Sequence, residues 1–362
     1  MSPRYPVSRT QAPTSDAEFS KILASPEFGR HFTDHMSAAT WTPDDGWHDR
    51  KVGPLEPFNL HPGTAVLHYG QEIFEGLKAY RHADGGIYLF RPSFNADRFA
   101  RSAERLALPQ LPEEDFLASV EALVRVDERW VPIPAVEESL YLRPFMFAID
   151  VCLAAKPAEV VAYSVIAWPT GPLFAAGQSG VTLWVSSRYT RSAPGGTGGA
   201  KCGGNYGASL AAQIEANQHG CDQVLYLDRT GGEGYLEESG TMNLCLVTSD
   251  GYLITPMLGT ILNGVTRDAT LTLASDFGLT VMERPISLEE LRRGAADGRI
   301  TEAFAVGTAA VITPIVEFKG DGYEFTVGAG KPGKQTMALR AELLGIQYGR
   351  VEDRHRWLWR VL

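Results

Sequence analysis

The sequence predicts a mixed α/β (α+β) chain of two domains, and three observations carry that expectation. Its 362 residues are more than twice the roughly 150 typical of one domain. Short apolar and aromatic runs, broken by Gly and Asp-Gly turns, alternate with stretches of helical spacing. Between two such halves, Pro169-Thr170-Gly171-Pro172 and the small residues 175–180 read as a flexible connector. The expected layout is a small N-terminal domain over 1–169, a linker over 170–180 and a larger C-terminal domain over 181–362.

Residues 1–60 read as a loosely ordered leading segment holding one helix. Ser15 caps it, Glu18 completes a capping box, and Phe19, Ile22 and Leu23 form its apolar face. The runs 65–69, 76–80 and 87–90 read as strands of an antiparallel hairpin set. Residues 94–106 and 113–127 have helical spacing with charged outer positions, and 140–147 and 160–168 read as strands. The second half opens with strand 181–185, helix 208–217 and strand 223–227. Strand 244–247 follows, then a hairpin turning at Asp250-Gly251. Residues 268–277 form a helix, Ser287 with Glu290 caps another, and 335–344 form the last before the aromatic tail Trp357-Leu358-Trp359.

Apolar residues make up 44% and charged residues 21%, which excludes a disordered chain. The net charge of −10, with no run of Lys and Arg, argues against nucleic acid or an anionic membrane as partner. No apolar stretch long enough to span a bilayer occurs, and the polar first twenty residues predict no secretory signal. Cys152, Cys202, Cys221 and Cys245 match neither a redox CxxC nor a zinc site, which suggests reduced thiols in a cytoplasmic protein. His31 and His35 stand four apart, but Phe32 follows the first and no third ligand is apparent, so no metal is expected.

Glycine is in excess, with 37 in the chain. Six of the ten residues from 195 to 204 are glycine, and Lys201 sits among them. A backbone so poor in side chains lets a flat group approach closely. A lysine desolvated there loses proton affinity and becomes an amine nucleophile for Schiff-base chemistry, although the same stretch also reads as a solvated surface loop. A nucleotide phosphate loop fails, because Ala200 and Cys202 occupy the positions of the second glycine and the hydroxyl. Residues 328–333 match a dinucleotide fingerprint literally, but Pro332 is unusual there and only 29 residues follow the motif, too few for a complete βαβαβ half, so it reads as a turn before the last helix. No Gly-x-Ser-x-Gly elbow appears. Glu238, at the mouth of a strand, could face solvent or partner a cofactor nitrogen. Gly264-Val265-Thr266-Arg267 leads into a helix whose free amides suit a phosphate. Gly307-Thr308-Ala309-Ala310 offers amides and a hydroxyl to another anion.

Lys201-Cys202-Gly203-Gly204-Asn205-Tyr206, with Glu238-Ser239-Gly240-Thr241-Met242-Asn243 downstream, resembles the class IV pyridoxal-phosphate-dependent aminotransferases, and among them the branched-chain amino acid aminotransferases. His68-Tyr69-Gly70, Phe74-Glu75-Gly76-Leu77-Lys78-Ala79-Tyr80, Leu89-Phe90-Arg91-Pro92 with Asn95-Ala96-Asp97-Arg98, Tyr141-Leu142-Arg143-Pro144 and Gly264-Val265-Thr266-Arg267 extend the likeness over roughly residues 30–345. The resemblance implies fold type IV, with pyridoxal 5'-phosphate at the interface of two domains. It makes Lys201 the residue that carries the cofactor as a Schiff base and moves the substrate proton. It gives Glu238 the pyridine nitrogen and Tyr206 the ring hydroxyl. Arg98, the Val265 and Thr266 amides and Thr308 take the phosphate, and Thr241 is assigned to the cofactor as well. Tyr69, Phe74 and Tyr141 would wall an aliphatic side-chain pocket. The amides of Ala309 and Ala310 would take the α-carboxylate, and Arg143 the side-chain carboxylate of glutamate.

The implied activity is reversible amino transfer from L-leucine, L-isoleucine or L-valine to 2-oxoglutarate by a cytoplasmic homodimer. A D-amino acid aminotransferase and an aminodeoxychorismate lyase are alternatives of the same fold, but those relatives are generally shorter. A non-catalytic phosphate- or nucleotide-binding module is the alternative of another class. Two departures stand out. Ala310 and Thr313 occupy the positions of a redox CxxC found in some animal members, so no thiol switch is expected, and Leu173 stands where an aromatic residue is often found.

Overall fold

The computed structural model describes residues 4–172, 180–230, 232 and 234–362. Helix α1 (Asp16–Ala24) starts as expected: the Glu18 amide donates to the Ser15 hydroxyl at 3.3 Å, and Ile22 is buried. The next residues depart from the expected loose segment. β1 (His35–Thr42) and β2 (Gly46–Pro54) form an antiparallel pair. Their small, polar and charged residues carry no clean apolar alternation, which hid them from a periodicity reading. His35 starts a strand, not a second helical turn, and its Nδ1 lies 2.6 Å from the Asp127 carboxylate. The run 65–69 is also corrected: α2 (Val66–Tyr69) is a single helical turn closed by left-handed Gly70, because an apolar run this short suits helix and strand equally.

β3 (Glu72–Phe74), β4 (Leu77–Arg81) and β5 (Ile87–Phe90) precede two helices, α3 (Pro92–Arg105) and α4 (Glu113–Val126). β6 (Ser139–Ala148) and β7 (Val161–Thr170) follow, paired antiparallel along their whole length. α3 begins at Pro92, where proline's fixed φ and missing N–H are harmless. Its buried face joins an apolar stripe, Ala96, Phe99 and Ala103, to a polar one, Asn95, Arg98 and Ser102.

The second half contains β8 (Val181–Val185), α5 (Gly203–Gly207), α6 (Ser209–Gln218), β9 (Gln223–Asp228), β10 (Tyr235–Ser239), β11 (Met242–Thr248) and β12 (Tyr252–Thr255). It continues with α7 (Val265–Asp276), β13 (Thr280–Glu283), α8 (Leu288–Ala296), β14 (Ile300–Gly307), β15 (Val311–Gly320), β16 (Tyr323–Thr326) and α9 (Lys334–Gln347). The last strand, β17 (Leu358–Arg360), pairs with β5.

Among the described residues, one sheet runs β17-β5-β4-β6-β7-β1-β2, with β3 also on β6. A second runs β10-β9-β8-β15-β14-β11-β12-β13, with β16 also on β15. β10 pairs with β11 as well, so six strands of this second sheet close on themselves.

The chain divides into two compact units: Met1–Leu173 with Ala200–Gly203 and Ile346–Leu362, and Phe174–Gly199 with Gly204–Gly345. Each has its own apolar core, around Phe99, Phe116, Trp130 and Tyr163 in the first and around Leu183, Leu244, Leu246 and Phe318 in the second. The assignment of 181–362 to one domain therefore needs correcting at two places. Residues 346–362 join the first unit because β17 extends its sheet and Val361 enters its core. Ala200–Gly203, Lys201 included, joins it too. Most of the expected linker, with Leu173, lies outside the described residues.

Candidate active site

In the first unit the loop joining β3 to β4 carries Glu75, fully buried between Phe74 and Gly76. Its carboxylate accepts from Arg98 Nε at 2.7 Å and Arg98 Nη2 at 2.8 Å, a two-point pair in which both partners are buried. Asn95 Nδ2 donates to it at 2.7 Å and the Gly76 amide at 3.1 Å. Asn95 and Arg98 are one turn apart on α3, so the helix presents both to one carboxylate. These partners outweigh the desolvation of Glu75 and hold its pKa below the usual carboxylate value.

One turn further along α3, the Ser102 hydroxyl accepts from the Lys201 amide at 2.9 Å, and the Lys201 carbonyl accepts from the Phe74 amide at 2.9 Å. The lysine is thereby fastened by its backbone to the elements that hold Glu75 and Arg98. Its Nζ lies 4.9 Å from the centre of the Phe74 ring. Desolvation, chiefly, and the nearby Arg98 charge lower the Lys201 pKa to about 8, while Glu75 and Tyr141 oppose the fall. A substantial fraction of this amine is neutral and nucleophilic near neutral pH.

Beside it stands an aromatic box. The Tyr141 and Trp168 rings stack with centroids 4.7 Å apart, and Phe28 meets both edge-on. The Arg143 guanidinium lies 4.7, 5.6 and 5.4 Å from the Phe74, Tyr141 and Trp168 rings, and its buried Nε has no hydrogen-bond partner among the described residues. Gly76 is required here, since a Cβ would come within 2.1 Å of the Tyr141 hydroxyl.

In the second unit Glu238 lies on the seam that closes the sheet, directly across from Asn243. Asn243 Nδ2 donates to its Oε1 at 3.0 Å, the Leu262 amide at 2.9 Å, and Arg191 Nε pairs with Oε2 at 2.5 Å. Both ions of that pair are buried, and Arg191 is itself anchored by the Gly198 and Thr260 carbonyls at 3.0 Å. Just beyond, Gly264 precedes α7 without any side-chain cap, leaving Val265 and Thr266 as the buried first residues of a twelve-residue helix. A Cβ on Gly264 would lie 2.2 Å from the Asn243 Oδ1, so glycine is needed at that step.

Residues 72–318 match the family described as amino-transferase class IV. The chain belongs to the class IV aminotransferases. It is 51% identical to the branched-chain-amino-acid aminotransferase of Mycolicibacterium smegmatis, over 99% of this chain and 98% of that one. Its identity to the Mycobacterium tuberculosis enzyme of the same name is 48%, over 99% and 98%. Among solved structures, the branched-chain amino acid aminotransferase of Escherichia coli superposes with a TM-score of 0.72 at 29% identity, covering 90% of this chain and 100% of that one. A T.th. branched-chain amino acid aminotransferase with pyridoxamine 5'-phosphate gives 0.72 at 28%, covering 90% and 99%.

In this class IV aminotransferase the structure gathers Phe74, Arg98, Tyr141, Arg143 and Lys201 in the first unit. Tyr69, expected in the same wall, is about half exposed; its hydroxyl donates to the Leu153 carbonyl and its ring lies against His68. In the second unit Glu238, Val265 and Thr266 are buried, Tyr206 on α5 is partly buried, and Thr241 is exposed in the turn from β10 to β11. Thr308, Ala309 and Ala310 form the turn from β14 to β15, which ends at Val311 with φ +57°, a value a β-branched residue rarely adopts. Sequence reasoning missed Glu75, Asn95 and Arg191, and gave Asn243 no role. The one available signal was on α3, where Asn95, Arg98 and Ser102 repeat at helical spacing. Among the described residues no cluster of His, Cys, Asp and Glu could hold a metal, and no helix is long and apolar enough to cross a membrane.

Proposed function

We infer that this chain is a branched-chain-amino-acid aminotransferase, moving the amino group of L-leucine, L-isoleucine or L-valine reversibly to 2-oxoglutarate with pyridoxal 5'-phosphate as cofactor. The observation that carries the reading is Lys201: a backbone-fastened lysine of lowered proton affinity, beside a buried arginine and an aromatic box, in a chain about half identical to enzymes of that name.

The donor set suits the cofactor. An amine of lowered proton affinity, a buried guanidinium, an uncapped helix start and an arginine whose buried Nε has no partner among the described residues are what an aldehyde bearing a phosphate calls for. When bound, pyridoxal phosphate supplies the aldehyde and a ring that takes up the electrons left when the substrate Cα–H bond breaks. Lys201 Nζ would hold the cofactor and then carry the Cα proton. Glu238, paired with Arg191 and oriented by Asn243 and the Leu262 amide, would face the pyridine nitrogen and keep its proton in place. Tyr206 would meet the ring hydroxyl, and Thr241 lies in the same cofactor-binding stretch. Arg98, fixed by Glu75, would share the phosphate with the Val265 and Thr266 amides and the Thr308 hydroxyl.

For substrates, Phe74 and Tyr141, joined by Phe28 and Trp168, supply apolar surface for a branched side chain, with Tyr69 at its outer side. Arg143 would answer the side-chain carboxylate of glutamate, which lets one site take an aliphatic and an acidic substrate in turn. The Ala309 and Ala310 amides would take the α-carboxylate. The enzyme would work as a cytoplasmic homodimer.

Leucine added alone to the yellow holoenzyme should bleach the cofactor band and release one equivalent of branched 2-oxo acid per site. 2-Oxoglutarate should then restore the band. Bleaching by D-leucine but not L-leucine would overturn the substrate assignment.

A further inference from the structure

Glu237 has no part in the amino transfer. It precedes Glu238 inside the register irregularity of β10 against β9, and the two carboxylates face different surroundings. Glu237 is 2% exposed, yet neither of its carboxylate oxygens has a hydrogen-bond partner among the described residues. A carboxylate so placed has lost its hydration and gained no donor in return. Burial pushes its pKa up to about 7; the Thr260 hydroxyl, near but not bonded, and Arg191 ease the rise, while Asp228 adds to it.

Glu237 lies on the wall of a cavity of about 480 Å³, within the range of small-molecule pockets. Asp228, Tyr235, Met257, Leu258 and Ile261 share the lining, and among the described residues no lysine, arginine or histidine does. The chemistry of these walls narrows the occupant. Two carboxylates repel an anion. A divalent metal wants more oxygen ligands than two carboxylates bring, and Asp228 Oδ1 already accepts from the Thr230 amide at 2.8 Å. A neutral apolar molecule would fill the space but leave Glu237 without a donor.

We propose that this cavity is a second ligand site of the enzyme, taking a small organic cation: a protonated amine whose N–H donates to Glu237 and whose alkyl groups lie on Met257, Leu258 and Ile261. It is separate in chemistry from the amino-transfer site, but it shares a segment with it, since Ile261 lines the cavity and the next amide, Leu262, holds Glu238.

The test is calorimetric titration of the holoenzyme with triethylammonium chloride at pH 8, against sodium chloride of equal strength. Triethylammonium keeps one N–H and cannot condense with an aldehyde, so it does not consume the cofactor. Saturable binding of one cation per chain is expected. Glu237→Gln should weaken it at least tenfold, and the neutral N,N-diethylacetamide should bind the wild type at least tenfold more weakly than the cation. Leu258→Trp should also weaken it by filling the cavity, with turnover of leucine unchanged as the sign of an intact fold. If Glu237→Gln does not fold, the Leu258→Trp result decides. Absence of saturation, or equal binding by wild type and both variants, would overturn the proposal.

Discussion

Each unit of the molecule holds an ion pair of a buried carboxylate and a buried arginine in which an asparagine donates to the same carboxylate: Glu75 with Arg98 and Asn95, Glu238 with Arg191 and Asn243. The resemblance ends at the geometry. Glu75 meets Arg98 through both of its oxygens, in a loop whose glycine neighbour also donates to it. Glu238 takes Arg191 at Oε2, and an amide and an asparagine at Oε1, on a strand seam. The Glu75 pair is suited to holding a cation still and setting the field at the neighbouring lysine. In the proposed amino transfer the Glu238 carboxylate would instead be a reagent, aimed by its strand and amide partners.

Perturbing each side in turn tests that distinction. Lys201→Ala, which removes what the first cluster serves, should lower turnover about 10⁴-fold and abolish the visible band of the bound cofactor. A variant retaining the lysine-bound spectrum would remove Lys201 from the site.

Glu75→Gln should act on stability first. Leaving Arg98 buried without its charge partner costs about 3–5 kcal/mol, read as a lower denaturant midpoint. It should also shift a pH profile. Glu75 raises the proton affinity of Lys201, so its loss should move the Lys201 pKa below about 8. Because the neutral amine is the reactive form, the midpoint for the rate of cofactor uptake by the apoenzyme should move to lower pH. An unchanged midpoint would make Glu75 purely structural.

Glu238→Gln likewise strands a buried arginine and should cost stability of the same order, about 3–5 kcal/mol, but the folded variant should in addition lose about 10²-fold in turnover. A folded variant that kept its rate would remove Glu238 from the chemistry. Ser287→Ala lies away from both. It should cost about 1 kcal/mol through loss of the 3.1 Å cap to the Glu290 amide, with kinetics unchanged.

What could be read from the sequence follows the same division. Lys201 was legible because six surrounding glycines make a lone lysine conspicuous, and Glu238 because the run 238–243 carries the family resemblance. The helices α3, α4, α7 and α9 and about half of the described strands were legible from the spacing of their apolar residues and the turns between them. Glu75 was not, since it looks like any charged residue beside a glycine, and its partners Asn95 and Arg98 come into reach only when α3 folds back 20 and 23 residues later. Arg191 was hidden in the same way, held near Glu238 by a segment beyond β8 whose anchors, the Gly198 and Thr260 carbonyls, no local pattern announces. β1 and β2 escaped because their register is fixed by partner strands and not by their own alternation.

The four residues Ala200–Gly203 have a consequence for anyone who would take the molecule apart. Lys201 sits with the first unit, but the chain on both sides of it belongs to the second, and the final strand β17 returns to the first. No single cleavage separates two complete halves. A gene fragment ending near residue 173 would encode neither the reactive amine nor the edge strand of its own sheet. A fragment encoding the rest would carry both of them away from the sheet they complete. Split-protein complementation of this enzyme therefore calls for pieces that exchange segments.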